Sequence, residues 1–134
     1  MIKNKLEYII FLYFKLNLKN TLVTISKYKK YNNKFIYIKN LKILSCGHIK
    51  SFKNRLKNTI LVHNILTINI IKYLISKNYL NINIIFNGIN FYRIHILKLL
   101  LNITYKNKKL NIKKLYDITT IAYNGCKLSK QKYY

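Results

Sequence analysis

Positive charge dominates this chain and limits the ways in which it can fold. The 134 residues include 26 lysines and arginines but only two acids, Glu7 and Asp117, which gives a formal net charge of +24. Such an excess destabilises a compact isolated chain through self-repulsion. However, 51% of the residues are hydrophobic, whereas disordered chains have low hydrophobicity. The sequence therefore predicts a folded domain whose charge is neutralised by a polyanion, with nucleic acid the first candidate and an anionic membrane surface the second.

The basic residues are almost all lysines, because Arg55 and Arg93 are the only arginines in the sequence. Lysine contacts phosphate as a point charge and lacks the planar fork with which arginine reads guanine. We therefore expect binding to be directed mainly at a nucleic-acid backbone and to weaken steeply as salt is added.

The spacing of apolar residues indicates strands and helices within one domain. Period-two stretches and short apolar runs indicate strands, and apolar stripes at helical spacing indicate helices. The order β-β-β-α-β-α-β predicts a single α/β domain, with a mixed sheet of about five strands packed with two main helices. Asn58 is the predicted N-cap of the first helix. The predicted strands are residues 20–26, 35–38, 41–44, 82–86 and 112–121, with a turn at residues 31–34. The predicted helices are residues 58–78 and a segment that begins near Phe91. The first helix is predicted to face the core with Leu61, Ile65, Ile68, Leu74 and Ile75.

The N-terminal residues 1–19 are predicted to be an apolar and basic extension to a domain that covers residues 20–134. Their apolar run, residues 8–14, is far shorter than the roughly twenty residues that span a bilayer. No small-residue cleavage site follows it, so we expect no secretory signal, and no transit peptide is evident. An amphipathic helix or an added edge strand is the expected structure.

The residues needed for catalysis or for metal binding are missing from the sequence pattern. The two acids are far apart, although general acid–base chemistry commonly uses a pair of carboxylates or an activated histidine. Gly47 and Gly88 stand alone, so there is no glycine-rich loop for phosphate. Cys46 and Cys126 lack the spacing of metal ligands and are expected to be buried free thiols. We therefore expect no enzymatic activity, no cofactor and no bound metal.

Three basic clusters fall in loops beside the ends of predicted elements, at residues 50–57, 87–93 and 127–132. Loops on a rigid scaffold often carry binding residues. A helix follows each of the first two clusters, and the backbone N–H groups at its start would favour phosphate. These clusters are the predicted contact points, whereas many of the remaining lysines are expected to lie on solvated helix faces.

Residues 117–127 read Asp-Ile-Thr-Thr-Ile-Ala-Tyr-Asn-Gly-Cys-Lys. This stretch resembles Asp-Val-Thr-Pro-Ile-Pro-His-Asn-Gly-Cys-Arg, the C-terminal signature of the bacterial-type small-subunit ribosomal protein eleven family. Residues 20–25 are similar to the opening strand of that family. Residues 52–59 keep a phenylalanine, two lysines and a threonine of its first basic loop, and residues 87–94 keep one glycine and the arginine of its second. The resemblance covers about residues 20–130.

The resemblance implies a structural constituent of the small ribosomal subunit that supports translation. In that family the protein binds rRNA on the platform near the mRNA exit cleft, beside small-subunit ribosomal proteins seven and eighteen, and no membrane is expected. Tyr123 stands at the family's histidine position and would either stack on a base or pack on the sheet. The rRNA-binding residues implied by the resemblance are Lys50, Lys53, Arg55, Lys57, Gly88, Arg93, Tyr123, Asn124, Lys127, Lys130 and Lys132.

Two alternatives and the compartment stay open at this point. The chain could be a basic peripheral membrane-surface protein anchored through residues 1–19, or a nonspecific nucleic-acid-binding protein. Lys, Asn, Ile, Tyr, Phe and Leu dominate and Pro and Trp are absent, a bias expected of an A/T-rich gene. An organelle ribosome is therefore expected, with a reduced, non-photosynthetic plastid favoured and a mitochondrion as the alternative.

Overall fold

The computed structural model describes residues 7–17, 19–49, 59–89 and 91–119. It confirms the predicted fold class and the order β-β-β-α-β-α-β, with a hairpin of two-residue strands added before the last strand. A short 3-10 turn, Cys46–His48, follows the third strand. The elements are β1 (Glu7–Leu16), β2 (Thr21–Tyr31), β3 (Lys34–Ser45), α1 (Ile60–Ser76), β4 (Asn81–Asn87), α2 (Arg93–Asn102), β5 (Thr104–Tyr105), β6 (Lys108–Lys109) and β7 (Asn111–Asp117).

The main sheet has the strand order β3-β2-β1-β4-β7 and places β1 in its interior. Strand β1 pairs antiparallel with β2 and parallel with β4, and β7 extends the sheet parallel to β4. The expectation of an amphipathic helix or an edge strand in this segment is therefore wrong, and the boundary predicted at residue 19 does not separate β1 from the sheet. A nearly continuous apolar run suits an interior strand that buries side chains on both faces, and Phe11 and Leu12, on opposite faces, are 7% and 0% exposed.

Strands β2 and β3 form a long hairpin around the predicted turn. Asn32 and Asn33 both have positive φ, 46° and 64°, which matches the right-handed twist of a two-residue hairpin. Strand β3 is continuous, although two short strands were predicted in its place. The pairing register shifts twice along the hairpin, leaving Ile38 and Leu41 without partners in β2. Such bulges interrupt the alternation of side chains without ending the strand.

The ends of several elements differ from the prediction by a few residues. Helix α1 begins after Thr59, whose hydroxyl accepts a hydrogen bond from the backbone N–H of Val62, so Thr59 and not Asn58 is the N-cap. Strand β7 ends at Asp117, four residues before the predicted end. The Asp117 carboxylate accepts a hydrogen bond from the backbone N–H of Thr119, and this local turn competes with continued strand pairing.

Helix α1 buries a face that only partly matches the stripe predicted for it. Leu74 and Ile75 are buried as expected, but Leu61 is 55% exposed and the first half of α1 buries Val62 and Leu66 instead. The sequence does not single out one stripe, because apolar residues occur all around α1 and a hydrophobic stripe is what orients a surface helix.

Alternation along β1 divides the sheet into two faces. The even-numbered residues 10–16 join buried residues of both helices in the hydrophobic core. The odd-numbered residues lie on the opposite face, where the ring of Phe11 packs edge-on against Tyr28 and Phe35, with centroid distances of 4.6 and 5.2 Å. We call the surface formed by the Phe11, Tyr28, Phe35, Tyr37 and Tyr116 rings and their neighbours the open face.

Candidate nucleic-acid interface

The carboxyl ends of β1, β3, β4 and β7 and the start of β2 meet at one edge of the sheet, which we call the loop edge. The pairing register shows this directly, because Leu16 lies opposite Thr21, and Phe86 lies opposite Asp117. Helices α1 and α2 both begin at this edge, since each follows a strand that ends there. In α/β sheets, the crevice beyond the carboxyl ends of the strands is the usual place for a ligand.

The loop edge carries the second predicted basic cluster and the residues that flank the other two. The second cluster, residues 87–93, lies on it, apart from residue 90, which is outside the described residues. The first cluster begins after Ile49 and leads into Thr59, and the C-terminal tail follows Thr119; all three flanking residues lie at this edge. The predicted binding residues that lie outside the described residues are Lys50, Lys53, Arg55, Lys57, Tyr123, Asn124, Lys127, Lys130 and Lys132.

Arg93 forms an ion pair with Asp117 at the loop edge. Its Nη2 atom lies 2.8 Å from Oδ1 of Asp117, and its guanidinium lies over the ring of Phe86 at 4.8 Å from the ring centroid. The hydrogen bond from Arg93, together with those from Thr119, lowers the pKa of Asp117 to about 2. This contact joins the first residue of α2 to the last residue of β7. A direct contact between Arg93 and rRNA stays a prediction, since part of its hydrogen-bonding capacity is already used within the protein.

Gly88 sits where the backbone of the second basic loop crosses the end of β1. Its φ is +106°, and a Cβ atom there would overlap the carbonyl oxygen of Leu16. Its N–H donates to the hydroxyl of Thr119 over 3.0 Å, and that hydroxyl donates to Asp117 over 2.7 Å. The glycine is thus required by the close approach of two backbone segments, a reason that is independent of RNA. By contrast, a Cβ at Gly47 would make only ordinary contacts, at 3.8 and 3.9 Å.

His63 is a structural residue of this edge that the sequence did not single out. Its Nδ1–H donates to the carbonyl oxygen of Thr59 over 2.8 Å, so its Nε2 accepts from the hydroxyl of Thr21, also over 2.8 Å. The buried thiol of Cys46 lies 3.7 Å from the same nitrogen, and the ring of Tyr92 packs on the imidazole at 4.4 Å between centroids. One side chain therefore joins β2, the end of β3, the start of α1 and the segment before α2.

The environment of His63 favours its neutral form. Burial lowers the pKa of this histidine, against the hydrogen bond to Thr59, which raises it. Cys46 is a buried thiol and forms no disulfide, as predicted for that cysteine. No sequence signal identified this cluster, because its members come from four different elements and only the tertiary fold brings them together.

Positive charge at the loop edge is opposed by very little negative charge. Lys15 and Lys19 are exposed there, and the basic segments 50–57 and 127–132 are attached to it. Asp117 lies at this edge and is paired with Arg93, while Glu7 lies at the far end of β1. As the chain has no other acids, the lysines here create an unbalanced positive field that attracts polyanions.

The described residues contain no group of three or more histidines, cysteines or acids that could hold a metal ion. Within the same part of the chain, no helix combines the length and apolar character needed to cross a membrane. A comparison with known proteins gave no matching family model and no matching curated protein.

Proposed function

We propose that this chain is a structural constituent of the small ribosomal subunit that binds small-subunit rRNA through the loop edge. The observation that carries the proposal is the position of the three segments that resemble family signatures. They are separated by tens of residues in the sequence, yet the described parts of each, or the residues flanking them, lie at one edge of one sheet. A single RNA surface can therefore contact all three.

The chemistry of this edge suits an RNA backbone. Two helices begin here, and the N–H groups and dipole at a helix N-terminus favour phosphate. The attached lysines supply point charges that neutralise phosphate without reading a base. The contacts made by Arg93 and His63 join the ends of the elements at this edge, and such preorganisation reduces the ordering cost of binding.

The finer parts of the proposal come from the resemblance. They are a place on the platform near the mRNA exit cleft, small-subunit proteins seven and eighteen as neighbours, and a role in supporting translation. An organelle ribosome, with a plastid favoured over a mitochondrion, is the proposed location on the basis of the A/T-type composition.

The membrane-surface alternative loses the segment on which it depended. Residues 7–16, expected to include an interfacial anchor, form an interior strand with Leu12 and Phe14 fully buried. An interfacial helix would have to place its apolar face in lipid, and in this fold those side chains are in the protein core.

Sedimentation tests the ribosomal proposal. The tagged chain, expressed in its own compartment or added to subunits that lack their own copy, should move with small subunits in a gradient after a moderate-salt wash. Excess duplex DNA should not remove it, because a nonspecific nucleic-acid binder would be competed away by any polyanion. If the chain stays at the top of the gradient while other small-subunit proteins sediment, the ribosomal assignment is wrong.

A further inference from the structure

A pocket of about 580 Å³ lies on the open face, at the edge of the sheet opposite to the loop edge. It lies where β1, β4 and β7 begin and where β2 turns into β3. The volume is within the usual range for small-molecule sites. The residues that matter for its chemistry are Lys30, Phe35, Asn83, Lys113, Lys114 and the single acid Glu7.

Asn83 is a polar residue that is almost completely buried in the wall of this pocket. It is 1% exposed and lies in β4 opposite Phe11 and Lys114, on the open face. Its Oδ1 atom is buried and has no hydrogen-bond partner among the described residues. Nearly all buried polar atoms in proteins have partners, because a missing hydrogen bond is costly. An acceptor of this kind in the wall of a pocket indicates that a bound group supplies the donor.

The rest of the lining points to an anion attached to a flat ring. Three lysines stand against one glutamate, which favours a phosphate group. The half-buried ring of Phe35 lies in the same wall and packs on Phe11. Aromatic side chains on a sheet surface are platforms on which bases stack.

We propose that this pocket binds one nucleotide, with its phosphate at the lysines, its base against Phe35 and an N–H group of the base donating to Oδ1 of Asn83. Inorganic phosphate alone would leave the aromatic wall and the Asn83 acceptor without a role. The nucleotide could be free, or it could be an unpaired residue of an RNA strand. The second source is favoured by the row of rings that continues from Phe35 across the open face, of which Tyr37 is 53% exposed.

The site is separate from the loop edge and does not depend on the ribosomal assignment. The test therefore uses the full chain and short oligonucleotides, without ribosomes. Equilibrium binding is measured for an RNA trinucleotide and for the same trinucleotide with an abasic central position. The two ligands carry the same charge, so the lysine-rich surfaces elsewhere bind them equally, and the difference reports contacts with the base.

We expect the base to improve binding by about fivefold or more, the range typical of one stacked base. Asn83→Leu should reduce this difference without lowering the midpoint of thermal unfolding, because the replacement has a similar size and eliminates the unpartnered oxygen. Asn69→Leu, on the exposed surface of α1, is the matched control and should leave the difference intact.

A nucleoside monophosphate added as competitor distinguishes the two sources. Displacement at concentrations similar to those of the trinucleotide supports a site for free nucleotide, and displacement only at far higher concentrations supports a site for an RNA strand. Equal binding of the two oligonucleotides by the unmodified chain would overturn the pocket proposal, as would an unchanged difference in Asn83→Leu. If Asn83→Leu fails to fold, Phe35→Leu replaces it, since Phe35 is only half-buried. An unchanged difference between the two trinucleotides in Phe35→Leu would then overturn the proposal.

Discussion

The guanidinium of Arg93 lies 2.8 Å from the carboxylate of Asp117, so one of the two acids in the chain pairs with one of its two arginines. Both residues were identified from the sequence for other reasons, Arg93 as an RNA contact and Asp117 as the first residue of a C-terminal signature. In the fold they join the second basic loop to the end of β7, where that signature begins.

Acid should release this tie. The pKa of Asp117 falls from 3.8 to about 2 on folding, so its ionised form stabilises the fold at all pH values above the unfolded value. That contribution is lost as the pH falls from about 4 through about 2. Asp117→Asn should therefore unfold more easily than the unmodified chain at neutral pH, and the difference should vanish in strong acid.

The measurement is the denaturant midpoint of both proteins across this pH range, at low ionic strength because the pair is partly exposed and salt screens it. Glu7→Gln provides a charge-matched control. Parallel pH profiles for the unmodified chain and Asp117→Asn would contradict a stabilising role for the ion pair.

His63 should give the fold a second pH dependence, at higher pH. Its pKa is lowered from the ordinary 6.5, so the unfolded chain takes up a proton before the folded chain does. Stability is then complete above about pH 6.5 and falls below it, by at most about 1.4 kcal/mol per pH unit. His63→Gln should be less stable near pH 8 but should lose less on acidification to about pH 5, where histidine titration is the relevant change.

Chemical denaturation at these two pH values is sufficient to check this. His95→Gln is the control, because His95 is in α2 and is not buried, and it should keep the acid-induced loss. A loss of equal size in His63→Gln and in the unmodified chain would mean that another group titrates.

The two glycines described by the structure should respond differently to the same substitution. Gly88→Ala places a methyl group onto the Leu16 carbonyl at φ +106°, which should lower the free energy of unfolding by about 3 kcal/mol or more. Gly47→Ala makes only ordinary van der Waals contacts and requires no positive φ, so the change should stay within about 1 kcal/mol. Thermal or denaturant unfolding measures the stability of both variants. Similar losses of stability at the two positions would contradict the close approach of the Gly88 backbone to the Leu16 carbonyl.

RNA affinity should depend on salt through the lysines of the first basic cluster, residues 50–57. Replacing Lys50, Lys53 and Lys57 by glutamine should reduce the slope of log affinity against log salt by about 2–3, since each neutralised phosphate contributes about 0.7–0.9. Binding of a platform rRNA fragment at several salt concentrations measures this slope.

The control removes three charges from elsewhere on the surface. Lys77, Lys98 and Lys109 are exposed and lie in or after the helices and in the small hairpin, away from the loop edge. Their replacement by glutamine should leave the slope nearly unchanged. Equal reductions for the two triple variants would indicate diffuse charge attraction and would count against a defined RNA-binding edge.

Much of the fold could be predicted from local pattern. The Asn32–Asn33 turn and strand β4 follow from turn chemistry and from short apolar runs, which are properties of neighbouring residues. The position of β1 could not be predicted in this way. Its apolar run fits a buried strand as well as a helix, and only the parallel pairing with β4, some seventy residues later, decides between them.

Some features of the candidate site could likewise be predicted from local sequence, and others could not. The excess of positive charge, the lack of a catalytic pattern and the three basic segments follow from composition and local order, which are visible without a fold. The fold was needed to show that the residues flanking these segments share one edge, that Arg93 pairs with Asp117, that His63 joins four elements and that Asn83 lines a pocket with its Oδ1 atom unpartnered among the described residues. Each of these depends on contacts between residues distant in the chain, and strand pairing and burial bring such residues together while local sequence does not encode them.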